Sequence, residues 1–529
     1  AVNAGGAIVL SSRAANSSRS VADGSNTSGT VGVGAAVALN IGVSTNSAFM
    51  ADGAVVTGKG VTVSATMPVG EKNDFGAEAK SGAGAGNVGV AGALAANVVV
   101  NTTVATLEGD KDGSGLGAVV EAGTGDVKVE ATSASASVVK SGADVKGTGG
   151  TAKVGVGASV GLNVGVNTTV AEVADGAKLT GGKDMTLSAK AAHDLSTEVS
   201  GGAAGAKVAV TPLAAVTVGV NTTTARLGTS ATGLSLSGAY TSGAEQTSSA
   251  SSKATGQTEG TSVAVGASVA LTSSTDTVTG VIDRDVTAGG AVEVGAKSTA
   301  KSSASATASV KGGEKADAGT DKPASGDAGT VDKQVTAQGD AAKKAGKAAD
   351  SGAGAKLDTT KDAPKTEENN SGGAVSVAAA VGVNVGVNTV TASVAKGRHI
   401  TSGGALKVAS QAQTDASAKA DGSQVDGGST SVGVGAAVAL NVGVTTNSAV
   451  ITDGVVVDAK GVTVSATVPV GEKNDFGAEA KSGAGAGNVG VAGSLAANVV
   501  VNTTVATLEG DKNGSARQNG NCRVEGNNA

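Results

Sequence analysis

Val31-Gly-Val-Gly-Ala-Ala-Val-Ala-Leu-Asn-Ile-Gly-Val43 alternates with a period of two, not 3.6. Val31, Val33, Ala35, Val37, Leu39, Ile41 and Val43 share one side, and Gly32, Gly34, Ala36, Ala38, Asn40 and Gly42 share the other. This is a β-strand with one bulky apolar face and one face of hydrogens and methyls. A helix is excluded, because each interior glycine would cost on the order of 1 kcal/mol against alanine. The bulky face is expected to line a shared core, and the Gly/Ala face to admit another backbone at close range. On that reading Leu39→Asp buries a carboxylate without a partner and damages the neighbouring coils.

The stretch recurs. Its central polar residue falls at Asn40, Asn97, Asn163, Thr217, Thr272, Asn384, Asn441 and Asn498, with intervals of 57, 66, 54, 55, 112, 57 and 57. The interval of 112 reads as two units holding an insert. A second apolar couplet usually follows about 20 residues on (Val61/Val63, Val127/Val129, Met185/Leu187, Leu406/Val408), across glycine turns such as Asp52-Gly53 and Gly181-Gly182. A longer period contains the short one. Residues 31–114 and 432–515 align without a gap at an offset of 401 and differ at 11 of 84 positions. Units too poor in bulk to fold alone must share a core by stacking, so the fold expected is an all-β, repetitive parallel β-solenoid rod. At two or three coils per unit, about 16–24 coils would give a rod of roughly 75–115 Å. The repeat array covers 1–310 and 371–515, and 516–529 reads as a polar tail.

Residues 311–370 break the pattern. They hold 10 Lys and 11 Asp or Glu, with Pro323 and Pro364, and read as a charged, low-complexity, solvated insert.

Composition narrows the function classes. Glycine takes 84 of 529 positions, against five prolines and four aromatic residues, which excludes collagen and argues against an aromatic-cored enzyme. A net charge of −6 with no basic stripe or stacking aromatics points away from nucleic acid. No run of 18 apolar residues predicts a membrane-spanning helix, and the aromatic girdles of a spanning barrel are missing. Cys522 is the single cysteine, so no intrachain disulfide forms. The sequence opens inside the pattern and reads as a piece of something longer.

Candidate chemistry is sparse. His193 and His399 have no ligand partners at metal spacing and read as surface residues; no metal, cofactor or catalytic residue is expected. Asp110-Lys-Asp-Gly113 opens like a calcium loop but lacks the closing carboxylate, so it reads as a tight turn. Asn101, Asn167, Asn221 and Asn502 each begin Asn-Thr-Thr, a glycan acceptor pattern that a structural role at a strand end explains equally well. Asn40, Asn97, Asn163, Asn384, Asn441 and Asn498 are candidates for an amide ladder between coils; the alternative is that they face water on the small-residue side.

Units such as Val432-Gly-Val-Gly-Ala-Ala-Val-Ala-Leu-Asn-Val-Gly-Val444, followed by Asn447-Ser-Ala449 and the Gly-Val-x-Val-x-Ala of 461–466, resemble the repeats of giant filamentous adhesins. The nearest likeness is to leukotoxin-type, haemagglutinin-like β-strand-repeat proteins of Gram-negative surfaces. It covers nearly everything except 311–370 and the residues after Ser515. The resemblance implies a secreted, extracellular, non-enzymatic passenger segment at the cell surface. Its partners would be a host or neighbouring cell surface or extracellular matrix, bound through many weak copies. A self-assembling matrix filament joined end to end is the alternative. A polysaccharide-acting β-helix enzyme ranks below both, since its paired carboxylates and aromatic sugar platforms are not evident.

Overall fold

The computed structural model describes residues 1–26, 29–111, 117–147, 153–205, 207–312, 375–424, 431–486, 488–510 and 518–526, and among them every regular element is a strand. Eight long strands form one parallel sheet: Val31–Met50, Val88–Leu107, Val154–Val173, Val208–Leu227, Val263–Ile282, Val375–Val394, Val432–Ile451 and Val489–Leu508. We number the coils 1 to 8 by these strands and call their sheet the valine sheet. Asn40, Asn97, Asn163, Thr217, Thr272, Asn384, Asn441 and Asn498 pair in that order, rung on rung. The fold is a parallel β-solenoid.

Coil 1 shows the route of the chain. After Val31–Met50 it turns at Asp52-Gly53, where φ of +71° suits glycine, and makes the short strand Val55–Thr57. It turns again at Gly60 (φ 101°) and returns as Val61–Thr66 and Asn73–Ala85. The returning strands build a second sheet, here the polar sheet, with Val127–Gly147, Met185–Gly205, Tyr240–Gly260, Val292–Gly312 and His399–Ser423 in parallel register.

One unit therefore makes one coil, not two or three. A 20-residue strand is about 66 Å long, while eight stacked strands rise only about 34 Å. The body is a flattened slab instead of the slender rod expected. Thr272 pairs directly with Asn384, so the interval of 112 is a single coil carrying extra chain, not two units. That extra chain, the charged insert, lies from residue 313 outside the described residues. Within the polar tail, Gln518–Gly526 pairs with Val456–Thr467.

The faces of the valine strands are the reverse of the expectation. Val31, Val33, Val37, Leu39, Ile41 and Val43 are 59–72% exposed, whereas Ala36, Ala38 and Asn40 are buried. The cause is the separation between the two sheets. A Cβ added to Gly34 would lie 2.2 Å from the Gly82 carbonyl oxygen, and one on Gly157 would lie 2.4 Å from that of Gly202. At such points the backbones leave room for hydrogen or methyl only, so small residues dominate this interior, with Val139, Val199 and Leu213 among its few larger ones, and most valines of these strands are turned outward. Where one sheet supplies a large side chain, the other supplies a glycine: a Cβ on Gly42 would meet the Phe75 ring at 2.4 Å, and one on Gly443 the Phe476 ring at 2.2 Å. At the turn end the section widens around the short strands. There Leu107, Leu179, Met185, Leu187, Leu227, Tyr240 and Ile282 form a conventional apolar core.

Candidate interaction face

Two columns of polar side chains run through the narrow interior. In the first, Asn40 Nδ2 donates to Asn97 Oδ1 (2.9 Å), Asn384 Nδ2 to Asn441 Oδ1 (2.8 Å) and Asn441 Nδ2 to Asn498 Oδ1 (2.8 Å). Between Asn97 and Asn163 the link runs through the Ser137 hydroxyl, which accepts from Asn97 Nδ2 (2.6 Å) and donates to Asn163 Oδ1 (2.5 Å). In coils 4 and 5 the rungs are Thr217 and Thr272, whose hydroxyls turn to the carbonyls of Ser251 and Ser303 in the polar sheet. The six asparagines thus fall into separate runs, one of coils 1–3 and one of coils 6–8.

A second column was legible only as a glycan motif. Asn101 Nδ2 donates to Asn167 Oδ1 (2.7 Å), Asn167 to Asn221 (2.7 Å), and Asn221 to Asp276 Oδ1 (2.8 Å). Asn101, Asn167 and Asn221 are buried inside strands, not at strand ends, and are closed to glycosylation in the folded chain; Asn502 is exposed. Asp276 also accepts from Gln246 Nε2 (2.7 Å) and Ser274 Oγ (2.9 Å). Burial pushes its carboxyl above the ordinary carboxylate range, and the donors from Asn221, Ser248, Ser274 and Gln246 oppose that shift.

His193 is buried, not a surface residue. Its Nδ1 shares a 2.8 Å hydrogen bond with Ser135 Oγ, and burial pulls its pKa down to about 3, so the imidazole is neutral. His399 is exposed. Arg284, fully buried at a turn, donates from Nε to the Gly228 carbonyl (2.7 Å), and burial lowers its pKa to about 10. These groups satisfy backbone and neighbours and do not converge on a cleft. Asp110 and Lys111 lie at a turn where the Lys111 amide donates to Asp52 Oδ2 (2.8 Å); residues 112 and 113 are outside the described residues. Among the described residues no group of three His, Cys, Asp or Glu could hold a metal.

The outer faces differ sharply. The polar sheet carries Ser, Thr and charge in columns of alternating sign, such as Glu78, Lys140, Glu198 and Lys253 on successive rungs. Lys297–Glu245 (3.1 Å), Lys419–Glu479 (3.2 Å) and Lys301–Asp415 (3.4 Å) are ion pairs of this face. Shallow grooves there are lined by such side chains, one by Ser249, Lys301 and Asp415. The valine sheet is bare of charge by contrast. In its eight strands the charged residues are the inward Asp276 and the pair Glu172 and Arg226, 3.7 Å apart near the strand ends. Its outward positions are Val, Leu, Ile and Ala for about thirteen residues, apart from Gly92, Pro212, Gly493 and, in coil 5, Ser273 and Thr275; beyond that Thr and Ser enter. In coils 2–4 Val90, Leu94, Val100, Val160 and Val220 are 36–42% exposed, while in coils 6 and 7 Val381, Val383, Leu440 and Val442 are buried.

Compared with known protein families, curated proteins and solved structures, the chain matches none. Among the described residues no helix is long and apolar enough to cross a membrane.

Proposed function

We propose that the chain is a segment of a non-enzymatic, extracellular β-repeat fibre with a structural and adhesive role, carried as the passenger part of a large secreted surface adhesin. The observation that supports this reading is the coil itself. One cross-section repeats in register, so every surface column recurs at each rung and weak contacts are multiplied along the stack. The near-copy at an offset of 401 occupies coils 1–2 and 7–8, six rungs apart, which extends the same logic to a longer array. The partner would be a cell surface or matrix met by an extended side of the slab.

The test is adhesion of beads coated with the purified chain to cultured epithelial cells and to deposited matrix. Retention should rise steeply with coating density. Retention equal to that of albumin-coated beads at every density would overturn the proposal, as would release of reducing ends from common polysaccharides.

A further inference from the structure

We infer that the valine face of coils 1–4 packs against the same face of a second copy, sheet on sheet, in a two-fold dimer. This stands independently of adhesion. The free face is bounded by observation: Val31, Val33, Val37, Leu39, Ile41 and Val43 of coil 1 are 59–72% exposed, Val90, Leu94, Val100, Val160 and Val220 of coils 2–4 are 36–42% exposed among half-buried neighbours, and the equivalent Val381, Val383, Leu440 and Val442 of coils 6 and 7 are buried. Four strands of about thirteen apolar residues make a flat patch of about 19 by 43 Å, or about 800 Å². That equals one partner's share of a standard stable interface, and it exceeds the largest apolar patch a soluble monomer usually shows.

The chemistry of the face selects the occupant. No lysine, arginine, aspartate or glutamate points outward before Glu172 and Arg226, so nothing there recognises an ionic partner. A membrane surface is disfavoured, because among the described residues the rim of this face offers only Lys153, Lys207, Arg226 and the single aromatic Phe49, and no belt of basic and aromatic side chains to seat a protein in lipid headgroups. What the face does offer is spacing. Branched side chains stand in rows about 4.8 Å apart along the stack and about 6.6 Å apart along each strand. A surface that interdigitates with such rows must repeat at the same intervals, and the same sheet in a second molecule does. Val and Leu columns closing at about 10 Å are the core of an ordinary β-sandwich, formed here between two chains instead of within one. The molecule's own narrow interior takes only scattered larger residues such as Val139, Val199 and Leu213, and the continuous outward rows of Val and Leu are left without a layer of their own.

Sedimentation equilibrium of the full chain tests this. At about 10 µM the mass should be twice 49.3 kDa, and added sodium sulfate should strengthen association, as for apolar contact. Leu94→Lys with Val220→Lys puts two charges on the face and should weaken the dimer at least about 100-fold. Thr247→Lys, on the exposed side of the polar sheet, should not. A second measurement guards against misfolding of the lysine variant. In a Cys522→Ser background, alkylation of Val160→Cys should slow at least about tenfold between dilute and concentrated protein, and that of Thr247→Cys should stay constant. A monomer at about 100 µM, a dimer indifferent to the two lysines, unchanged alkylation at position 160, or flotation with phosphatidylcholine vesicles in place of dimerisation would each overturn the inference.

Discussion

Asp276 ends a column of neutral amides with a carboxyl group, and the rung above it is Asn388, whose Oδ1 has no hydrogen-bond partner among the described residues. Burial raises the folded-state pKa of Asp276 above the ordinary 3.8. Between those two values the unfolded chain has given up a proton that the folded chain keeps, so stability falls as pH rises through that window and stays lower above it. Asp276→Asn removes the loss, still accepts from Asn221 and Gln246 at Oδ1, and can donate to Asn388. Its melting temperature should exceed the parent's at pH 7, with the gap narrowing near pH 4; a lower value at pH 7 would contradict the ladder. His193 slopes the other way. Its folded pKa is about 3, so below the unfolded value near 6.5 the unfolded chain binds the extra proton. The stability conferred by the neutral ring is full above pH 6.5 and is lost as pH falls toward 3. Amide exchange in Met185–Gly205 should therefore accelerate between pH 6.5 and 4.5 relative to coil 7, and His193→Gln should abolish that difference.

On two adjacent strands of the valine sheet, glycines near one another face opposite constraints. A Cβ on inward Gly157 would sit 2.4 Å from the Gly202 carbonyl oxygen, while outward Gly92 has nothing within 4 Å. Gly157→Ala should destabilise by about 1–3 kcal/mol through forced separation of the sheets. Gly92→Ala should be neutral or stabilise by up to about 1 kcal/mol through reduced chain entropy. Chemical denaturation of the pair measures the asymmetry. Leu39→Asp belongs here as well: with Leu39 59% exposed, the change should alter the stability of the single chain by no more than about 0.5 kcal/mol, against the severe damage that a core assignment implied, its cost falling on association of the valine faces instead. The period of two at 31–43 and the 57-residue spacing were enough to read strands and parallel stacking, and to name the asparagines as ladder candidates beside a water-facing alternative. The direction of the faces was not, because hydrophobicity marks the interior only when the layers stand far enough apart for bulky side chains. Asn40 carried the missing signal. It shares its side with Gly34 and Ala36, and an amide that bonds along the stack at Asn97 favours a buried position. The second column went unread because Asn101, Asn167 and Asn221 fit a glycan motif and Asp276 does not, although all four share one rung position.

The slab is quasi-one-dimensional, since each coil pairs only with those above and below it, and its stability should be a sum over coils and their contacts. Removing one entire coil tests this. Val154 and Val208 hold the same rung position, so deleting residues 154–207 joins Lys153 to Val208 with every column preserved. Asn101 would then lie under Asn221, and Asn97 under Thr217, as Asn167 and Asn163 do now. The valine face keeps its rows. The polar face pays a local cost, because Glu198 leaves its place between Lys140 and Lys253 and two lysines become neighbours. Such a like-charge contact at the surface is worth a few tenths of a kcal/mol and is screened by salt. The shortened chain should fold, with its urea m-value lower by about one-eighth in proportion to the surface buried. Its stability should recover part of the loss between low and physiological salt, and Lys253→Glu, which faces Lys140 on one side and Ser305 on the other, should recover it without salt. Exchange protection in coils 6–8 should match the parent's. Loss of protection there would mean that the coils are coupled over the whole stack, through a core shared end to end, and that the nearest-neighbour account of this solenoid is wrong.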